Sequence, residues 1–275
     1  DQVLRRLAAA QTQAQVPMPE LAAVQLTDTT LTLILSEAVD LPRPWQGSAD
    51  RRSWSIAGDV PLEEVGPHVE GQLAPWPLLA TIGMDEDGAR WLLNLEDRHL
   101  LVTGDHTYGL DLARHLAAEA ATNPWSTTVI LDLVGVAPEL AGLDPYRIHA
   151  HHDTGQDAIG SCLVDAVATV DRTRDTGRNP VAARAALDEP DAWPARLLLV
   201  DAGTHSQNLQ QLLELMREHP AATGTSVVVT AAATPGPGST TLQVSAQGRV
   251  EVPDLGLDLI AAGLTEQEAR GCAAL

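Results

Sequence analysis

The 275-residue chain contains no lysine and no phenylalanine, and only two cysteines. No apolar run approaches the ~20 residues that a bilayer-crossing helix needs. Each absence excludes something. All 17 basic residues are arginine, so no ammonium group exists anywhere in the chain to neutralise a phosphate. Cys162 and Cys272 make neither a disulfide framework nor a metal cluster. Cys162 falls on an apolar helical stripe, where a thiol is expected to be buried. No signal peptide is visible. Positive charge is scarce as well: 37 Asp and Glu leave a net charge of -20. Such a surface repels phosphodiester backbones and anionic membranes. Arg51-Arg52 and the "DRTRDTGR" run are diluted by Asp, so neither nucleic acid nor direct membrane contact is expected. Arginine in place of lysine, with heavy Ala, Asp and Leu usage, fits a GC-rich, actinobacterial genome. The chain begins at Asp1, inside a helical pattern, and is expected to be a piece of a longer protein.

The hydrophobic fraction of 44% is that of a globular protein. The length allows one large domain or two smaller ones. Residues 1–13 read as a helix with Val3, Leu4, Leu7 and Ala8 on one stripe. Leu21–Leu26 and Thr30–Leu35 read as strands, followed by a loop over Leu41–Asp50 and a weak strand at "RSWSIAG". Residues 57–76 look irregular. From Pro77 the pattern sharpens. "LLATIGM" and "ARWLLNLE" are two strands joined by an acidic turn at Gly88. "HLLVTG", "TTVILDLVG", "RLLLVDAG" and "TSVVVTAA" are continuous apolar runs, as strands buried on both faces must be. "YRIHAHH" is a shorter one. Between them lie helices, one from about Asp157 to Arg172 with Ile159, Cys162, Leu163, Ala166, Val167 and Val170 on one stripe. Another spans about Ser206–Glu218. "ATPGPGST" reads as a mobile loop and "TLQVSAQGRVEV" as a hairpin. Thr265 with Glu268 forms a capping box for a last helix. Strands alternating with helices predict an α/β fold, with a mostly parallel sheet flanked by helices. A smaller N-terminal part, a helix plus β-rich segments over residues 1–76, should dock on an α/β domain spanning 77–275.

The chemically informative stretch is "LLVTGDHTYGLD", Leu100 to Asp111. Gly104 and Gly109 keep the spacing of a phosphate-binding loop between a strand and a helix. A working loop of that kind needs backbone N–H groups turned toward phosphate, a Lys on the β and γ phosphates, and a Ser or Thr hydroxyl on Mg²⁺. Leu110 stands at the Lys position and Asp111 at the hydroxyl position. Asp105 and Asp111 add negative charge where a triphosphate would lie, costing on the order of a kcal/mol each. Arg114, one turn after Leu110, is the nearest substitute cation. The alternative is structural: Gly104 and Asp105 end a strand and cap a helix, with both Asp residues favouring the positive end of its dipole. A second clue is "RLLLVDAG". Nucleotide hydrolases carry Asp and then Glu at the end of such a strand, for Mg²⁺ and for the attacking water. Asp201 is present, but Ala202 takes the Glu position.

The segment "TIGMDEDGARWLLNLEDRHLLVTGDHTYGLDLARHLAAE" resembles the opening of FtsK/SpoIIIE-type motor domains, including the ATPase modules of type VII secretion. "RLLLVDAG" and "TSVVVTAA" fall where that family has its metal-binding and sensor strands. Over about residues 40–235 the chain also resembles a part of large actinobacterial proteins that contain LysM or bacterial-transcriptional-activator (BTAD) domains and carry membrane segments. The resemblance implies a degenerate P-loop NTPase-like fold, in a cytoplasmic chain that is the soluble part of a membrane-anchored protein. Gly104, Asp105, Gly109, Arg114 and Asp201 would be the remains of a nucleotide site. With Lys, Ser/Thr and Glu replaced, catalysis is not implied, no catalytic residue is assigned and no bound cofactor is expected.

"HAHHD" offers a second constellation: His149 and His151 share one face of a strand, with Asp153 as a third metal ligand. A polar strand end explains the same residues, since real sites recruit a distant ligand, and no metal is assigned. Ser161 lies inside a helical pattern and is no nucleophile. Trp45, Trp76, Trp125 and Trp193 each lie beside or near a Pro. They are expected to fill the core from loops rather than anchor a partner. Three functions follow as expectations: a non-catalytic interaction or regulatory module working through protein partners or other domains of its parent chain, a nucleotide sensor without hydrolysis, or an ATPase completed in trans.

Overall fold

A computed structural model describes residues 1–152, 154–187, 193–230 and 238–274. The N-terminal helix α1 (Gln2–Ala14) buries Leu4, Leu7, Ala8 and Gln11 and stops at Gln15, which takes a left-handed φ of 56° before Pro17. Strands β1 (Leu21–Leu26) and β2 (Thr30–Leu35) form a hairpin, and β3 (Gln46–Gly47) and β4 (Ser53–Ala57) follow. A one-turn helix, α2 (Leu62–Val65), interrupts the otherwise irregular stretch before β5 (Leu79–Met84) and β6 (Arg90–Asn94). The acidic turn between those two works as its sequence suggests. Asp85 accepts from the Asp87 and Ala89 N–H groups at 3.1 and 2.9 Å, and Gly88 supplies a φ of 85°.

Strand β7 (His99–Gly104) leads into α3 (His106–Thr122), and β8 (Val129–Val134) and β9 (Ile148–His151) follow. Then come α4 (Gln156–Thr176), α5 (Pro180–Ala185), β10 (Ala195–Asp201), α6 (Gln207–Glu218) and β11 (Thr225–Thr230). The chain closes with β12 (Ser239–Val244), β13 (Arg249–Val252), β14 (Leu257–Ala261) and α7 (Glu266–Ala273). The expected capping box holds α7: Thr265 Oγ1 accepts from the Glu268 N–H, and Glu268 accepts from the Thr265 N–H at 2.9 Å.

The described strands form one sheet in the order β3-β4-β2-β1-β6-β5-β14-β13-β12-β7-β11-β10-β8-β9. From β12 to β9 all neighbours are parallel. From β12 to β3 all are antiparallel. The fold is therefore α/β with a large sheet flanked by helices. The strands of residues 1–76 are hydrogen-bonded into the sheet through β1 and β6, rather than docked on its surface. The parallel strands are covered on both faces, which explains their unbroken apolar runs: Leu197 to Val200 are fully buried. One face packs under α3 through Leu112, Ala113, Leu116 and Ala117. The other packs under α4 and α6 through Ile159, Cys162, Ala166, Leu212 and Met216. A third cluster joins α1, β1 and β2 to Trp45, Trp54, Trp76, Leu79 and Leu92. Trp45, Trp76 and Trp193 are core residues, as expected of loop tryptophans beside proline, while Trp125 is half-buried.

Three details differ from the periodicity. Val167 is 41% exposed, because the face of α4 turned to the sheet is narrower than the apolar stripe. Strand β14 and helix α5 are too short for a periodic signal. The loop at "ATPGPGST" falls largely outside the described residues, and its last two residues begin β12. Cys162 is fully buried, and burial above all pushes its thiol up to about 12. A thiol reagent applied to the native protein should therefore titrate one cysteine, Cys272, and reach Cys162 only on unfolding. Two fast thiols in a native titration would contradict this packing.

Candidate functional site

The two glycines of "TGDHTYG" do different jobs. Gly104 ends β7 with φ 92°, and a Cβ there would stand 2.0 Å from the Val244 carbonyl oxygen of β12. Only glycine fits that close approach. Asp105 is then the N-cap of α3: Oδ1 accepts from the Tyr108 N–H at 3.0 Å, and its carbonyl accepts from Gly109 N–H at 2.9 Å. His106, Thr107 and Tyr108 are the first helical turn, so the stretch between the glycines is helix rather than an open loop. Gly109 lies inside the helix, buried against β7, where a Cβ would meet Val102 Cγ1 at 3.2 Å. Its role here is close packing of helix on strand.

The charged residues after Gly109 are engaged with one another. Arg114 Nη1 donates to Asp111 Oδ1 at 2.8 Å, and Arg114 Nε donates to Glu139 Oε1 at 2.7 Å. All three side chains are at most 14% exposed. Burial pushes the Asp111 carboxyl up from its ordinary value, and the neighbouring Arg114 opposes that shift. The Asp111 carbonyl also accepts from the Leu264 N–H at 2.9 Å, which ties the segment before α7 to the start of α3. Between α3 and α7 lies an open cavity of about 470 Å³ bordered by His106, Leu110, Arg114, Thr265 and Arg270.

Asp201 ends β10, separated from β7 by β11. Its Oδ1 accepts from the Gly203 N–H at 2.8 Å, and Ala202 bonds to Thr230. The structure thus gathers Gly104, Asp105, Gly109 and Arg114 at the β7–α3 junction, while Asp201 closes its own turn at the end of β10, on the same edge of the sheet with β11 between.

The histidines of "HAHHD" converge on a residue the sequence did not single out. Asp132, 2% exposed in β8, receives His151 Nε2 at 2.9 Å and has His149 Nδ1 at 3.6 Å. Arg196 donates to its other oxygen at 2.8 Å and reaches Asp165 on α4. A carboxylate inside "VILDLV" and an arginine inside "ARLLLVD" were the available signal, since charges in doubly covered strands need partners. Asp153 lies outside the described residues. Among the described residues, no group of three His, Cys, Asp or Glu side chains is arranged to hold a metal ion. No described helix is long and apolar enough to cross a membrane.

No family model and no curated protein matches the sequence. Solved structures do. The pCW3 conjugation coupling protein TcpA, in a monomer form with ATPγS, superposes over 98% of this chain and 99% of its own, with a TM-score of 0.51 at 9% identity. The cytoplasmic domain of the Thermomonospora curvata type VII secretion ATPase EccC matches 75% of this chain, with a TM-score of 0.53 at 14% identity. ATPases 2 and 3 of EssC from Geobacillus thermodenitrificans match 76%, with a TM-score of 0.54 at 12% identity. The alignments span 31% of the EccC chain and 51% of the EssC chain. At these identities the likeness is one of fold alone.

Proposed function

We propose that this chain is a non-catalytic interaction or regulatory module on a degenerate P-loop ATPase scaffold. It would be the cytoplasmic part of a longer actinobacterial protein of the LysM- or BTAD-containing kind and act through protein partners or other domains of that chain. The observation that carries this reading is the start of α3. Asp105 caps the helix directly after β7, and a helical turn fills the stretch where a phosphate cradle would open. Leu110 and Asp111 replace the cation and the Mg²⁺-binding hydroxyl, and Arg114 is already held by Asp111 and Glu139. A triphosphate would meet carboxylates in place of an ammonium group.

Calorimetric titration of ATP and ADP, with and without Mg²⁺, should give no heat at sub-millimolar nucleotide, and phosphate release should stay at background. The double substitution Leu110→Lys with Asp111→Thr should not restore turnover, because the stretch between Gly104 and Gly109 is helix and opens no cradle for phosphate. Mg-ATP turnover by the pure protein would defeat the proposal.

One observation favours a second reading, a nucleotide sensor without hydrolysis: the cavity between α3 and α7 has room for a ligand beside Arg114 and Arg270. Micromolar nucleotide binding that weakens in Arg270→Glu would select it. Hydrolysis that appears only on adding a partner domain would select completion in trans.

A further inference from the structure

A second cavity lies on the other side of the parallel strands, near the amino ends of β7 and β12. Its volume is about 340 Å³, at the small end of the range for ligand pockets. Met18 and Val181, both partly exposed, give it apolar walls, and Asn94 and Thr240, both more than nine-tenths buried, give it polar ones. Arg98 lines it half-buried. Among the described residues Arg98 makes no ion pair within contact distance and no side-chain hydrogen bond. Glu20 and Asp254 act on it only at longer range, and burial lowers its pKa from the ordinary arginine value. Among the described residues, Arg43, Arg52 and Arg90 are also without an ion pair, and all three are exposed. A partly buried guanidinium that lines an accessible cavity without a paired carboxylate is a counter-charge available to an anion.

The neighbouring acids decide which anion. Glu96 has both carboxylate oxygens held by Arg184, so its charge is already paired. Asp97 stands beside it, and burial followed by the Glu96 charge pushes its carboxyl up to about 7. Below that pH it is a neutral group, but a dianion would face it and the exposed Glu20 at close range. One negative charge is matched by Arg98; two are not. Asn179 adds a donor: its carbonyl oxygen caps α5 through the Ala182 N–H, leaving the amide NH₂ for the cavity.

We infer that this cavity is a binding site for a small monocarboxylate with an apolar tail. The carboxylate would lie on Arg98 and Asn179 and the tail against Met18 and Val181.

Hexanoate is the probe, titrated calorimetrically at about pH 6, with hexylamine and the dianion sulfate as controls. The expected result is saturable 1:1 binding of hexanoate, no heat from either control, and a loss of roughly tenfold or more in Arg98→Gln. If circular dichroism shows Arg98→Gln to be unfolded, Val181→Trp decides, since it fills the cavity and leaves Arg98 in place; hexanoate binding should then disappear. Absence of hexanoate binding to the unmodified protein would overturn the inference. So would hexylamine binding as tightly, or unchanged hexanoate affinity in a folded variant. None of these outcomes bears on nucleotide binding at α3, which lies elsewhere.

Discussion

Replacing Arg184 with methionine should cost about 3–5 kcal/mol of stability, read as a lowered urea midpoint at unchanged slope. Arg184 and Glu96 are the most deeply buried ion pair among the described residues, at 1% and 2% side-chain exposure. The guanidinium grips both carboxylate oxygens, with Nη1 to Oε2 at 2.9 Å. It also donates to the carbonyl oxygens of Trp193 and Pro75 at 3.1 and 3.2 Å. One side chain thereby joins α5, the turn between β6 and β7, and two loops that carry buried tryptophans. Removing it strands a buried charge and two carbonyls together. The large loss is the penalty of that abandoned carboxylate rather than the worth of the pair. Arg184→Met combined with Glu96→Met should therefore recover most of the loss. A single variant that loses less than about 1 kcal/mol, or a double variant that is no better, would show the site to be wetter than its geometry.

Asp97→Asn should stabilise the protein at alkaline pH and do little at acidic pH. Burial and the adjacent Glu96 raise the Asp97 carboxyl from 3.8 to about 7, against hydrogen bonds from Thr223. A raised carboxyl pKa means that the folded state holds its proton more tightly than the unfolded chain does. The contribution of Asp97 to stability is thus best below the unfolded value, falls as pH rises toward 7, and stays low beyond it. Asparagine keeps an oxygen for the Thr223 N–H and hydroxyl but never ionises. The gap between variant and parent should open across that window, to a few kcal/mol by about pH 8. Matched denaturation curves from about pH 5 to pH 8 read it directly, and parallel pH profiles would refute the assignment.

The parts of this fold with strong period or length were legible. The four long parallel strands read as unbroken apolar runs because both faces are covered, and the capping box at Thr265 and Glu268 announced α7. Strand β14 and helix α5 were silent because five or six residues carry no period. At the β7–α3 junction the sequence left two outcomes, since glycine spacing alone does not say whether the residues between turn outward or wind up. Asp105 marks the difference, because a capping carboxylate starts the helix at once. The charged clusters were harder to see. Arg184 and Glu96 stand 88 positions apart, and Asp132 and Arg196 stand 64 apart, so only tertiary structure pairs them.

The pairing of β1 with β6 gives residues 1–76 a protective task as well as a packing one. Both ends of the sheet finish in very short strands, two residues at β3 and four at β9. Short ends offer little template for another chain to add onto. Without β1, the sheet would end at Arg90–Asn94, where Leu92 and Leu93 sit in a run of unpaired N–H and C=O groups. The N-terminal segment acts as a guard against runaway strand addition. A chain shortened to residues 77–275 would expose that edge and lose its protection from strand addition.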